Sequence, residues 1–363
     1  MSPRCACNDR AASPQLRGPP PAVGEPRSRD SAGILLAHAG MTRTARWIEV
    51  AVAALAASAG CVGHVGDDGP VGPGAADASA AGDGGRASDA DGGRAGDADA
   101  GGAADAAGGG GPRPGDGVEL RTYDPLNDES DPSWGAVLTD IVQHCPPEWV
   151  STYYDADKVT HGHETSHGIH AYLRNERNDT GRRANALYLL DGRYALVVEP
   201  GIRKSEVAPY VPSALRGSRY ATYVTGQTAW DDTPLYLFDE WNAYVNGTAV
   251  AVDLERAGKW TYGWRDACAG TIEFVAYALA VGRAVEERDP DYFADYAQFR
   301  ELLAWNLRRS MALYRECAAL EPFAWDQQDA YFEALRSGPD GAELRAFVDR
   351  TYGAAFTAEL FGD

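Results

Sequence analysis

The part of this 363-residue chain that follows Val118 predicts an α+β fold, mostly helical with a small antiparallel sheet. Three observations carry that expectation. Nearly all the branched apolar and aromatic residues lie after Val118. Long apolar runs, punctuated by Pro290, Pro322 and Ser337-Gly338-Pro339, fill the stretch from Leu235 onward. One strong hairpin signal stands between them at Asp191-Gly192.

The elements follow in order. Trp134 to Val142 predicts a short helix closed by Pro146-Pro147, and Asp155 to about Asn175 a longer one carrying most of the histidines. Leu187 to Leu190 and Tyr194 to Val198 read as two strands around Asp191-Gly192, because Asp-Gly supplies the positive φ of a tight turn. The β-branched and aromatic run from Arg219 to Val224 adds a further strand. Helices are expected at roughly 236–247, 264–287, 291–318, 326–336 and 341–350. No internal repeat is visible.

Composition divides the chain into four parts. Residues 1–40 are rich in Pro and Arg and read as a structureless or untranslated leader, with translation starting at Met41. Residues 41–61 place Arg43 and Arg46 ahead of an apolar run that ends in Ser58-Ala59-Gly60-Cys61. That ending resembles the lipobox of bacterial lipoproteins, which implies that Cys61 is acylated and becomes the mature N-terminus. The apolar run is shorter than the ~20 residues a spanning helix needs. Residues 62–117 are Gly, Ala and Asp with scattered Ser and Arg, too poor in apolar surface to offset ordering entropy. They read as a disordered tether. Residues 118–363 form the folded domain, taken as a monomer.

The formal charge of −20 excludes nucleic acid as a partner, because a phosphate-binding surface needs clustered Lys and Arg. The domain holds three cysteines, Cys145, Cys268 and Cys317. One disulfide is expected in an oxidising compartment, and Cys268 with Cys317, on consecutive helical segments, is the first choice.

Chemistry concentrates at His163-Glu164-Thr165-Ser166-His167. His163 and His167 are one helical turn apart, so both rings leave one face about 6 Å apart at Cβ. Two nitrogens at that spacing reach one Zn²⁺ at about 2.0–2.1 Å. Glu164 lies beside the first of them, placed to act as general base. His161, His163, His167 and His170 crowd into 161–170, while His144 is the sole other histidine after Val118. The motif resembles that of the zincin metallopeptidases. The likeness extends to Thr160 before it, the uncharged spacer pair, and apolar Ile169 after it.

His170 shares the face of His163 but stands seven residues on, roughly 10 Å along the axis, too far to complete one tetrahedron. It is expected to hydrogen-bond behind the ligands or to face substrate. A third ligand from another helix, as in the gluzincins, is what the resemblance implies. Glu240, in the aromatic-rich stretch Leu237 to Tyr244, is the first candidate, since a buried carboxylate is costly without a partner or metal. Glu273, the sole charge in an apolar run, is the alternative. Asp239 is expected to orient a ligand imidazole. Tyr244 leads the candidates for stabilising an oxyanion, with Tyr236, Tyr223 and Tyr220 behind it. Arg216 and Arg219 either grip a substrate carboxylate or form surface ion pairs.

The resemblance thus implies a zincin-like catalytic domain hydrolysing a peptide or related amide bond, such as one in cell-wall material. The substrate is then a peptide or protein, the cofactor Zn²⁺, and the location extracytoplasmic, on a bacterial membrane through a lipid at Cys61 or else secreted. The alternative is a non-catalytic surface lipoprotein whose binding domain holds a structural zinc or no metal.

Overall fold

The computed structural model describes residues 112–362; the leader, Cys61 and residues 62–111 of the tether lie outside the described residues. Contacts begin ahead of Val118, where Gly115 donates its backbone N–H to Glu301 at 2.7 Å and Arg308 donates to the Pro114 carbonyl.

The architecture is α+β and mostly helical. In chain order the regular elements are β1 (Arg121–Thr122), α1 (Ala136–Gln143), α2 (Pro147–Tyr153), α3 (Lys158–Glu176), β2 (Ala184–Tyr188) and β3 (Arg193–Val198). Then come a π-helix (Tyr220–Thr225), α4 (Tyr236–Arg256), α5 (Ala269–Arg288), α6 (Pro290–Asp295), α7 (Ala297–Ala318), α8 (Asp326–Arg336), α9 (Ala342–Tyr352) and α10 (Ala354–Phe361). The three strands form one antiparallel sheet in the order β1-β3-β2, with Ala184 opposite Val198 and Tyr188 opposite Tyr194.

Several expectations are corrected. The hairpin is present, but its first strand ends at Tyr188, because Leu190 and Asp191 take φ of 68° and 54° and leave the ladder. The strand expected over Arg219 to Val224 is a π-helix instead. Its carbonyls are drawn inward: the buried Lys204 ammonium donates to the carbonyls of Tyr223, Val224 and Gly226 at 2.9, 3.1 and 2.6 Å. That internal cation replaces the partner a strand would have needed. Pro147 opens α2 rather than merely closing α1, as its fixed φ suits a first helical turn. Tyr296, at ψ 82°, divides the single helix expected over 291–318 into α6 and α7.

Helix α4 is the axis of the fold. Phe238 and Trp241 are fully buried, Phe238 stacks on Phe299 of α7 at 5.6 Å, and residues on every face of the helix are enclosed. A helix buried all round must pair each polar group it carries. Asn242 and Asn246 both donate to the Tyr188 carbonyl of β2, at 2.6 and 3.0 Å. Their amide oxygens accept from Arg309 of α7 at 3.1 and 2.7 Å.

Helix α3 begins where the Asp157 carboxylate accepts from the N–H groups of Val159 and Thr160. Glycines stand where it crosses α4. A Cβ on Gly162 would stand 2.7 Å from Val250 Cγ2, and one on Gly247 would stand 3.1 Å from the Val159 carbonyl and 3.4 Å from His163 Cβ. That approach sets the polar stripe of α3 against α4. Gly247→Val should therefore lower stability by about 1–3 kcal/mol through overpacking, read as an earlier urea midpoint.

The Leu235 N–H, at the start of α4, donates to Glu199 Oε2 at 3.0 Å. Burial pushes the Glu199 carboxyl from its ordinary 4.5 up to about 8, against that hydrogen bond and Arg183. A raised folded-state pKa means the native chain holds this proton more tightly than the unfolded chain. Stability should decline as pH rises from about 4.5 to about 8, and Glu199→Gln should flatten that slope in pH-resolved denaturant melts.

Candidate metal centre

His163 and His167 project from α3 toward Glu240 of α4, and the three meet. His163 Nε2 and His167 Nε2 are 3.1 Å apart, and Glu240 Oε2 is 3.3 Å from His167 Nε2 and 3.7 Å from His163 Nε2. Ligands about 2.0–2.1 Å from a tetrahedral ion stand about 3.3 Å from one another. The observed triangle brackets that value. Glu240 is 6% exposed, its Oε1 accepts from Tyr236 OH at 2.6 Å, and its buried Oε2 accepts no hydrogen bond. An unsatisfied carboxylate oxygen facing two imidazole nitrogens is a donor set suited to zinc.

The far side of the cluster fixes the rings. His167 Nδ1 donates to Asp239 Oδ1 at 2.6 Å, which turns His167 Nε2 toward Glu240. His170 Nδ1 donates to the same oxygen at 2.9 Å, and Asn242 Nδ2 donates to His170 Nε2 at 3.0 Å. Both His170 nitrogens are thereby spent. Asp239 Oδ2 accepts from Arg174 Nη1, which also donates to Asn185 at 2.9 Å. His167, His170 and Asp239 form a second close group of metal-capable side chains, with Asp239 already saturated by these donors.

Electrostatics follow the geometry. Burial alone would raise the Asp239 carboxyl, but His170, Arg174 and the two histidine hydrogen bonds outweigh it and hold the group well below the usual carboxylate range. Burial, with His167 next to it, pushes His163 well below the ordinary histidine value, so the ring stays neutral and its nitrogen free to coordinate. For His167 burial acts downward too, yet Glu240 and Asp239 overcome it and the net shift is well upward. Asp239 and Glu240 thus favour positive charge at His167.

Other expected residues are placed as follows. Glu164 follows His163 on α3 and is partly exposed. Tyr244 packs edge-on against the His163 ring at 4.5 Å, and its hydroxyl meets Tyr223 OH at 3.1 Å. Tyr236 serves Glu240, and Tyr220 points to the Ala208 carbonyl at 3.4 Å. Glu273 is not brought to the histidines. It accepts from the Arg219 backbone and guanidinium, both at 3.0 Å, from Tyr277 OH at 3.0 Å and from Ser218 Oγ at 3.2 Å. Its isolation in an apolar run reflects that internal ion pair, which corrects the reading of it as the alternative ligand. Arg219 is accordingly no surface residue; it also pairs with Asp266 and lies 5.0 Å over the Tyr244 ring. Arg216 lies over Tyr220. Cys268 and Cys317 are bonded, tying the start of α5 to the end of α7, while Cys145 is free and buried.

Sequence reading missed Arg174 and Asn242, and it gave Tyr236 the wrong task. Arg174 had a visible signal. It continues the His163, His167, His170 stripe by one more turn of α3, where an arginine on a buried stripe implies an acidic partner.

The chain was compared with protein-family models, curated proteins and solved structures, and none of them matches.

Because Asp239 fixes His167 without touching the metal position, Asp239→Asn should weaken zinc binding about 10–100-fold, measured by competition with a chromogenic chelator.

Proposed function

We propose that the chain is an extracytoplasmic zinc metallopeptidase of zincin type, tethered to a membrane through Cys61. The observation that carries this reading is the close triangle of His163 Nε2, His167 Nε2 and Glu240 Oε2 on two crossing helices, with Glu164 adjoining the first ligand. His163, His167 and Glu240 would hold the ion, with Tyr236 and Asp239 orienting Glu240 and His167. Bound zinc supplies Lewis acidity toward the scissile carbonyl and acidifies water.

The remaining work falls to the chain. Glu164 accepts the proton from the attacking water and returns it to the leaving amine nitrogen, so the step needs no other acid. Tyr244, held between His163, Tyr223 and Arg219, packs its ring on His163 and offers its hydroxyl to the oxygen on which charge develops, while the Tyr236 hydroxyl is taken up by Glu240. The interior Cys268–Cys317 disulfide supports an oxidising location. Among the described residues no helix is long and apolar enough to cross a membrane.

Metal analysis and peptide cleavage test the assignment together. Wild type should carry about one zinc per chain. Glu164→Gln should keep the zinc and lose about 10²–10⁴-fold in kcat, whereas His163→Ala should lose the metal. Full zinc occupancy without cleavage of any peptide or wall-derived amide would instead establish the non-catalytic binding domain.

A further inference from the structure

Trp264 lies in the segment between α4 and α5 and is 56% exposed; among the described residues only Tyr154 is another large hydrophobic as open to solvent. An indole left in water forgoes the gain of burial, about 25 cal/mol per Å² of apolar surface. Yet this one is held in place. Its Nε1 donates to the Ala324 carbonyl at 2.9 Å, and Trp325 stands edge-on beside it with ring centroids 5.7 Å apart.

The two residues that follow Trp264 both reach the neighbourhood of the metal triangle. Arg265 donates to Thr160 Oγ1 at 3.2 Å and pairs with Asp157, at the first turn of α3. Thr160 precedes Glu164 by four residues, so the two share one face of that helix. Asp266 pairs at 3.2 Å with Arg219, whose guanidinium covers the Tyr244 ring beside His163. Trp264 is thus carried on a backbone pinned on one side to the Glu164 face and on the other to the Tyr244 side. Arg265 and Asp266, rather than the indole itself, make these contacts.

We propose that Trp264, with Trp325 against it, forms a subsite for a large apolar or aromatic side chain of the peptide substrate. This rests on the peptidase reading above. An indole fixed before binding loses little further freedom when a side chain packs against it. The polar neighbours Arg265 and Asp266 are spent on Thr160, Asp157 and Arg219, so the ring is not flanked by their hydrogen-bonding groups. That favours an apolar guest over a hydroxylated sugar ring.

The test uses the full zinc-loaded chain and a peptide library read by mass spectrometry. It is followed by kcat/KM for matched peptides bearing Phe or Ala at the selected position. Wild type should select Phe, Tyr, Trp, Leu or Met at one position. In Trp264→Ala the Phe-over-Ala ratio should fall about tenfold or more with zinc content retained, and Trp264→Tyr should restore much of it. Cleavage by wild type with the same preference in Trp264→Ala overturns the subsite and leaves the peptidase reading intact. A loss confined to glycosylated peptides assigns the ring to sugar and also overturns it. Zinc-loaded wild type that cleaves nothing overturns both.

Discussion

Two helices that bury ionisable stripes against each other impose the central constraint on this molecule. Helix α3 offers His163, His167, His170 and Arg174 along one face, and α4 answers with Asp239, Glu240 and Asn242. Polar groups withdrawn from water cost free energy unless paired, and a charged one costs far more. Nearly every atom along this seam has its partner. Glu240 Oε2 accepts no hydrogen bond and turns to the Nε2 atoms of His163 and His167; Thr165 Oγ1 of α3 and Trp241 Nε1 of α4 are also without a partner. Gly162 and Gly247 make room for those pairings, so missing side chains set how closely the histidines and Glu240 meet.

The rest of the fold holds that seam still. Arg309 of α7 reaches Asn242 and Asn246, which reach the end of β2, and Asn185 of β2 reaches the Leu235 carbonyl at the head of α4. Sheet, central helix and outer helix are thereby joined through one set of side-chain amides. On the opposite side the Cys268–Cys317 bond and the Arg219–Glu273 pair fix α5, against which Tyr244 stacks through Phe274 at 4.9 Å. Rigid support of this kind keeps the His163 and His167 rings in place beside Glu240.

Much of the site was legible in the sequence because its parts are local. His163, Glu164 and His167 sit within one turn, and the one-turn rule places both rings on a common side wherever a helix forms. Glu240 was readable as a charge in an aromatic helix that could not stay unpaired. Glu273 looked equally isolated, and only tertiary contact could separate the two: Arg219 arrives from the irregular segment between β3 and α4, whose path no periodicity foretells. The same segment defeated the strand expected at Arg219 to Val224. Its β-branched and aromatic residues have the composition of a strand, but a distant lysine ammonium captured the carbonyls. Helix α2 escaped notice because prolines both stop and start helices, and Pro147 starts one.

The sealed outer margin of the sheet has one further consequence. Every residue of β2 is buried, and the carbonyl that closes the strand, that of Tyr188, is already claimed by two asparagines, while β1 is only two residues long. A guest polypeptide therefore finds no vacant rung on which to extend this ladder. A chain that approached this sheet would be gripped by its side groups rather than through a shared main-chain ribbon.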